Sequence, residues 1–140
     1  MFESAEIGHK IDKNTYKVEE PVLREALLDI QYELKEYGKF PVIILINGVD
    51  GAGKGETVNL LNEWMDPRLI STQAFGKCSD EERERPRMWR YWRALPANGR
   101  IGILFGSWYS DPIIGRVTGD FKTSELDHQI DEIVRFEKML

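Results

Sequence analysis

The segment Pro41–Thr57, PVIILINGVDGAGKGET, sets an apolar run, a glycine-rich turn and the opening of a helix side by side. No other stretch limits the possible folds so strongly. Val42 to Ile46 is an unbroken run of β-branched and leucine side chains, which predicts a central parallel strand buried on both faces. The run ends at Asn47, and from Gly48 the pattern reads GxxxxGKG. Glycines let the backbone curl so that successive N–H groups face inward, and the helix that follows adds its positive end. Gly48, Gly51, Ala52, Gly53, Lys54, Gly55, Glu56 and Thr57 are therefore the candidate phosphate-binding residues. Lys54 is placed to reach a terminal phosphoryl oxygen as a point charge. Position 55 is glycine, where a standard P-loop carries Ser or Thr to hold Mg²⁺, so metal falls to Asp50, to the Thr57 hydroxyl, or to neither. Without a ligand the same residues make a tight strand-to-helix turn. A dinucleotide-binding glycine fingerprint is not present.

The chain has 140 residues, 41% hydrophobic and 31% charged, enough for one globular domain with its own core. No apolar run approaches the roughly 20 residues of a membrane span. The start, MFESAEIGHK, lacks the apolar centre of a secretion signal, so the expected compartment is the cytoplasm. Cys78 is the single cysteine and has no Cys or His near it in sequence, which predicts a plain thiol with neither catalytic nor metal role. His9 and His128 lack ligand spacing and are expected to be solvated or capping residues. The net charge of −5 argues against an anionic partner only on average. Charges beyond about 8 Å are largely screened at physiological salt, so a local basic channel remains compatible with it.

Leu23, Leu27, Ile30, Leu34 and Tyr37 recur at helical spacing between Glu19 and Tyr37 and predict one apolar face, ended at Gly38. After the glycine-rich turn a helix is expected over Glu56–Met65, with Val58, Leu61, Trp64 and Met65 inward, broken by Asp66 and Pro67. A second strand is expected over Leu69–Phe75. The charged stretch GKCSDEERERP reads as a loop leading into a helix from Arg85 to Leu95, closed by Pro96 and the Asn98–Gly99 pair. Ile101–Phe105 reads as a third strand. A last amphipathic helix over Ser124–Leu140 gathers Leu126, Ile130, Ile133, Phe136 and Leu140. Alternating strands and helices predict parallel βαβ units in a three-layer α/β sandwich. Residues 1–40 read as an N-terminal segment whose helix packs on a core domain of residues 41–140. With only three strands in view, the expectation is a domain lacking a C-terminal strand and lid, one part of a longer protein.

Between Arg85 and Arg100 the sequence RPRMWRYWRALPANGR is rich in arginine and free of acidic residues. On a helical wheel Met88, Tyr91, Trp92 and Leu95 share one face, expected in the core, and Arg87, Arg90 and Arg93 spread over the other. Each guanidinium offers a rigid fork that matches phosphate oxygens. The competing assignment pairs these arginines with Asp80, Glu81, Glu82 and Glu84 as a solvated charged face. Following a phosphate loop, contact of Arg87, Arg90 or Arg93 with a polyphosphate or nucleotide is favoured. Nucleic-acid binding is not expected, because apolar spacing accounts for the tryptophan that would otherwise stack on bases.

GVDGAGKGET, RPRMWRYWRALPANGRIGI, the SWY at Ser107–Tyr109 and the closing IDEIVRFEKML together resemble the polyphosphate kinase 2 family over most of residues 41–140. The likeness is strongest to the N-terminal half of its tandem-domain members, the polyphosphate:AMP phosphotransferases. It implies a P-loop kinase fold in which polyphosphate donates a phosphoryl group to a nucleotide with Mg²⁺ under a mobile lid. By this resemblance Gly48, Gly53, Lys54 and Gly55 correspond to the phosphate loop, Asp50 to an aspartate serving metal and acceptor phosphate, and Arg90 to the arginine of a Trp–Arg pair. Asp50, Lys54 and Arg90 are thus the candidate catalytic residues. Active members carry Asp or Asn followed by Arg just before the Ser of the SWY-like motif, whereas Phe105 and Gly106 stand here. Asp111 is a candidate substitute, against a simple turn or capping role before Pro112. The loss points to weak catalysis unless another group compensates. Two readings stay open: a phosphotransferase acting between polyphosphate and AMP, or a degenerate phosphate-binding or scaffold half whose partner domain or second copy does the chemistry. An ordinary ATP- or GTP-dependent P-loop enzyme is disfavoured, because the hydroxyl after Lys54 is lacking.

Overall fold

The structure, a computed structural model, describes Gly8 and residues 10–140; the expectation for His9 lies outside the described residues. The elements run α1 (Lys13–Tyr37), β1 (Val42–Ile46), α2 (Lys54–Trp64), β2 (Ile70–Ala74), α3 (Asp80–Arg83), α4 (Trp89–Trp92), β3 (Ile101–Phe105), α5 (Ser110–Thr118) and α6 (Thr123–Glu137). The strands form one parallel sheet in the order β1-β3-β2, with Val42 and Ile70 both in register with Ile101.

Alternation along each strand divides the core into two layers. Val42, Ile44, Ile46, Ile101, Ile103 and Ile70 meet Leu34 of α1 with Val58 and Met65 of α2 and its end. Ile43, Leu45 and Leu104 point the other way, onto Tyr91, Trp108, Ile133 and Phe136. The three-layer α/β arrangement follows from that division. Trp108 and Phe136 stack edge to face at 5.1 Å, and Tyr91 meets Trp108 at 5.7 Å, so aromatic contacts fasten α4 and α6 to this face.

Several sequence expectations need correction. The strand after Pro41 is covered on both faces but is half-buried and lies at the sheet edge; β3, with Ile103 and Leu104 at 0% and 1% exposure, is central. The long N-terminal helix begins earlier, capped by Asp12, whose carboxylate accepts from the Asn14 and Thr15 amides. Its inward face is Leu27, Gln31 and Leu34, while Leu23, Ile30 and Tyr37 are exposed. Gln31 wins an inward position because its amide is fully used: Oε1 accepts from the Asp66 N–H and Nε2 donates to the Asp66 carbonyl.

The helix expected over Arg85–Leu95 shrinks to the single turn of α4, because Pro86 interrupts the backbone donors and its carbonyl accepts from Trp89 in a separate turn. Trp92, expected in the core, is 49% exposed and touches Phe136 only edgewise. The stretch expected as a loop contains α3, set by a capping box in which Ser79 and Glu82 satisfy each other's amides. On α6, which ends at Glu137 short of the expected Leu140, Gln129, Ile133 and Phe136 face inward and Ile130 is exposed; Leu140, beyond the helix, is exposed as well. The helix α5 was not foreseen. None of the helices of the described residues is long and apolar enough to cross a membrane.

Candidate functional site

The loop after β1 runs into α2 through Gly53, which caps the helix in the left-handed region with φ of 78°. A side chain there would be strained, which accounts for glycine before the lysine. The amides of Gly53, Lys54, Gly55 and Glu56 find no hydrogen-bond acceptor among the described residues; the first bonded amide is that of Thr57, which donates to Gly53 at 3.0 Å. Four unpartnered N–H groups at the start of an eleven-residue helix form a donor surface suited to an anion.

Lys54 folds back over this loop. Its Nζ donates to the carbonyls of Gly48 at 2.7 Å and Val49 at 2.8 Å and lies 3.6 Å from Oδ1 of Asp50. The lysine side chain is 20% exposed, and the Asp50 carboxylate is fully exposed. The Thr57 hydroxyl donates to the Gly53 carbonyl at 3.0 Å and so is engaged with the helix backbone rather than the loop opening. Asp50 therefore remains the carboxylate of the loop available to a cation, with Glu56 exposed in the first turn of α2. Among the described residues no three His, Cys, Asp or Glu side chains converge on a metal site. One loop carboxylate still suits Mg²⁺, which takes one or two protein carboxylates and completes its shell with phosphate oxygens and water.

At the tip of β1 the amide of Asn47 donates to the Ser107 hydroxyl at 2.7 Å and accepts from the Ser110 hydroxyl at 2.8 Å. This pair of bonds ties the loop's first residue to the segment leaving β3, a link that no spacing in the sequence announces. Gly106 precedes it with φ of 83°, and a Cβ there would lie 3.1 Å from the Phe75 carbonyl oxygen. Tyr91 donates its hydroxyl to the Ser107 carbonyl at 3.1 Å, and burial pushes its phenol up to about 12.

The three arginines have separate fates. The expectation that the helix presents guanidiniums outward fails for Arg90, whose side chain is 10% exposed. It donates to the Gly76 carbonyl at 3.0 Å and to Sγ of Cys78 at 2.9 Å, lies 3.3 Å from Glu82, and stacks over the Phe75 ring at 5.0 Å. Glu82 is held below the usual carboxylate range by the Ser79 N–H, with help from the Arg90 charge. Arg93 is exposed and lies over the Trp89 ring at 4.7 Å. Arg87 is held loosely, donating to the Trp108 carbonyl at 3.4 Å with Glu132 at 3.7 Å. So the assignment to nearby acids describes Arg90 and Glu82, while Arg87 pairs with a residue of α6. His128 is exposed, 3.7 Å from Glu132 on the same helix. Cys78 is free but not idle, since its sulfur accepts from Arg90.

The glycine-rich loop and the Arg87–Arg93 segment both lie at the carboxyl end of the sheet, where open α/β folds bind ligands. No hydrogen bond or ion pair joins Lys54 or Asp50 to Arg87, Arg90 or Arg93 among the described residues. Asp111, exposed in the first turn of α5, lines a cavity with Arg87 that the sequence did not reveal.

Residues 10–140 match the family described as Polyphosphate kinase 2 (PPK2). The chain is 63% identical over 140 residues to the polyphosphate:AMP phosphotransferase of Pseudomonas aeruginosa, covering 100% of this chain and 28% of that protein. It is 59% identical over 140 residues to the polyphosphate:AMP phosphotransferase of Pseudomonas syringae pv. tomato, with the same coverage of 100% and 28%. The crystal structure of Polyphosphate Kinase 2 from Arthrobacter aurescens TC1 superposes with a TM-score of 0.84 at 30% identity, over 95% of this chain and 48% of that one. The chain thus spans about 28% of the length of the two phosphotransferases it matches. A P-loop kinase-like fold is shared with these neighbours, and the chain belongs to the polyphosphate kinase 2 family.

Proposed function

We propose that this chain forms the phosphate-gripping part of a cytoplasmic phosphotransferase that moves a phosphoryl group between inorganic polyphosphate and AMP. The observation that carries the reading is the row of free amides from Gly53 to Glu56, on the same loop whose Gly48 and Val49 carbonyls hold the Lys54 ammonium. The two Pseudomonas relatives, both polyphosphate:AMP phosphotransferases, supply the substrate pair. A phosphate entering the loop offers Lys54 oxyanions in place of two neutral carbonyls, and charge-assisted bonds are about twice as strong as neutral ones. Lys54 then leaves Gly48 and Val49 and clamps the donor. Asp50 loses its cation and becomes the carboxylate that would hold Mg²⁺ against the acceptor phosphate. When bound, Mg²⁺ supplies neutralisation of the charge on the phosphoryl oxygens. Arg93, exposed and held among the described residues only over the Trp89 ring, and Arg87, whose partners lie at 3.4 and 3.7 Å, guide the anion. Arg90 acts on the site by fixing the backbone at Gly76. The far longer relatives support a second domain or a second copy as the partner.

One observation favours the second reading, a phosphate-binding half with little turnover of its own. At the position where active members are expected to carry an arginine, Gly106 adopts a left-handed conformation packed against Phe75, and the Asn47–Ser107–Ser110 bonds fill the neighbouring space. Measuring AMP phosphorylation from polyphosphate beside a Lys54→Ala control separates the two. Turnover lost at least a hundredfold with Lys54→Ala supports the enzyme. Polyphosphate binding that needs Lys54, without any turnover, supports the binding half. Binding and turnover both indifferent to Lys54 would exclude either.

A further inference from the structure

Ser107, Trp108 and Tyr109 form a firm platform at the exit of β3. Ser107 and Trp108 are 1% and 2% exposed. The Ser107 carbonyl accepts from the Tyr91 hydroxyl at 3.1 Å, the Trp108 indole donates to Glu137 at 3.0 Å, and the Gly106 amide donates to the Ile46 carbonyl at 3.0 Å. On this platform the Asn47 side chain is used at both ends: Nδ2 donates to the Ser107 hydroxyl at 2.7 Å, and Oδ1 accepts from the Ser110 hydroxyl at 2.8 Å. Backbone groups hold the two hydroxyls in turn, since Ser110 Oγ accepts from the Ser107 N–H at 3.0 Å and Ser107 Oγ from the Tyr109 N–H at 3.2 Å. The arrangement asks for an amide, which offers a donor and an acceptor at once. A carboxylate at position 47 would donate nothing and would set a negative charge beside the phosphate loop.

The loop that starts after Asn47 has little of its own to keep it in shape. From Gly48 to Ala52 the backbone makes one internal hydrogen bond among the described residues, from the Ala52 amide to the Val49 carbonyl at 3.3 Å. Lys54 adds two more through the Gly48 and Val49 carbonyls, and these are the contacts that an anion takes over. Once the lysine has left, the Asn47 amide is the side-chain tie that remains, among the described residues, between the base of the loop and the core. A base that stays in place keeps the free amides from Gly53 to Glu56 aimed at one point. Order present before binding does not have to be imposed by the anion, so the tie bears directly on affinity.

We infer that Asn47 is a positioning residue: through Ser107 and Ser110 it holds the base of the phosphate loop on the exit of β3 while Lys54 exchanges its carbonyl contacts for an anion. The inference rests on the proposed phosphate grip, but the order of the loop in the ligand-free protein tests it apart from binding. Asn47→Ala, Ser110→Ala and the double variant are compared with the parent and with Tyr32→Phe, a control that loses hydrogen bonds to Asp66 and Arg68 at the far end of α2. Amide heteronuclear NOE values from Gly48 to Gly53 should fall in Asn47→Ala and Ser110→Ala and stay at the parent's level in the control. Calorimetric affinity for inorganic tripolyphosphate should fall about tenfold in each single variant, the ordering of about one more residue's backbone being worth about that factor. The double variant should lose no more than Asn47→Ala, because both substitutions break one shared tie. Loop NOE values in Asn47→Ala equal to the parent's overturn the inference, whatever happens to stability. Fully additive losses in the double variant overturn it too, as does an equal loss of affinity in Tyr32→Phe. Failure of the parent to bind tripolyphosphate removes the proposed function, and the ligand-free NOE values still decide the role of Asn47.

Discussion

Lys54 Nζ donates to the Gly48 carbonyl at 2.7 Å, so the lysine proposed to grip phosphate also neutralises the loop that carries it. Asp50, 3.6 Å away and fully exposed, shares that cation. On the proposed reading an entering anion displaces these contacts, and Asp50 competes with it for Lys54 until a metal takes the carboxylate over. Asp50→Asn is expected to strengthen metal-free tripolyphosphate binding by roughly two- to fivefold, the scale of an exposed ion pair, and to abolish any further gain from Mg²⁺. Calorimetry with and without Mg²⁺ reads both effects; unchanged metal dependence in Asp50→Asn contradicts this role.

Gly106 stands in a conformation with φ of 83° and has the Phe75 carbonyl where a Cβ would be. Gly106→Ala should cost about 1–3 kcal/mol, seen as a lower urea midpoint at constant slope. An unchanged midpoint would mean that the segment after β3 relaxes freely.

Arg90 is held by Gly76, Cys78 and Glu82 and lies over Phe75. Its removal leaves those acceptors short of a donor, so Arg90→Ala should destabilise by about 2–4 kcal/mol. Arg87→Ala should leave stability within about 1 kcal/mol, since the Glu132 pair is long and partly solvated, but weaken AMP binding several-fold. Denaturation and calorimetry on both variants test this division of labour. The reverse pattern would exchange their roles.

The sequence conveyed the sheet almost completely, because Val42–Ile46 and Ile101–Phe105 are short apolar runs with no helical alternative. It could not show which strand is central, since both runs are equally apolar and only pairing distinguishes them. The inward turn of Gln31 was hidden for a different reason: a helical wheel sorts residues by polarity, and an amide enters a core when a backbone satisfies it, as that of Asp66 does here. For the candidate site, the loop was legible from Gly48 to Thr57 because glycine spacing and lysine are local signals. The Asn47–Ser110 bond and the cavity that brings Arg87 beside Gln129 join residues more than 60 and more than 40 positions apart, and no local pattern encodes them.

Asp66 joins the end of α2 to α1 and accepts from Arg68 and from Tyr32. The Arg68 side chain, and then its backbone N–H, hold the carboxyl well below the usual carboxylate range. A depressed carboxylate contributes stability above its unfolded value, near 3.9, and loses that contribution as pH falls below it towards the folded value. Urea midpoints of the parent and Asp66→Asn should differ less at pH 3 than at pH 6, the parent being the more stable at pH 6, because the contribution only begins to fall below the unfolded value. A constant gap between them would show that Asp66 contributes no pH dependence.

The most direct test of the account observes the loop amides while an anion is added. In a two-dimensional amide NMR titration with inorganic tripolyphosphate, the signals of Gly53, Lys54, Gly55 and Glu56 should move together and saturate, and Lys54→Ala should weaken that saturation at least tenfold. Signals that stay in place while tripolyphosphate binds elsewhere, or fails to bind, would contradict the claim that this turn is built to hold phosphate.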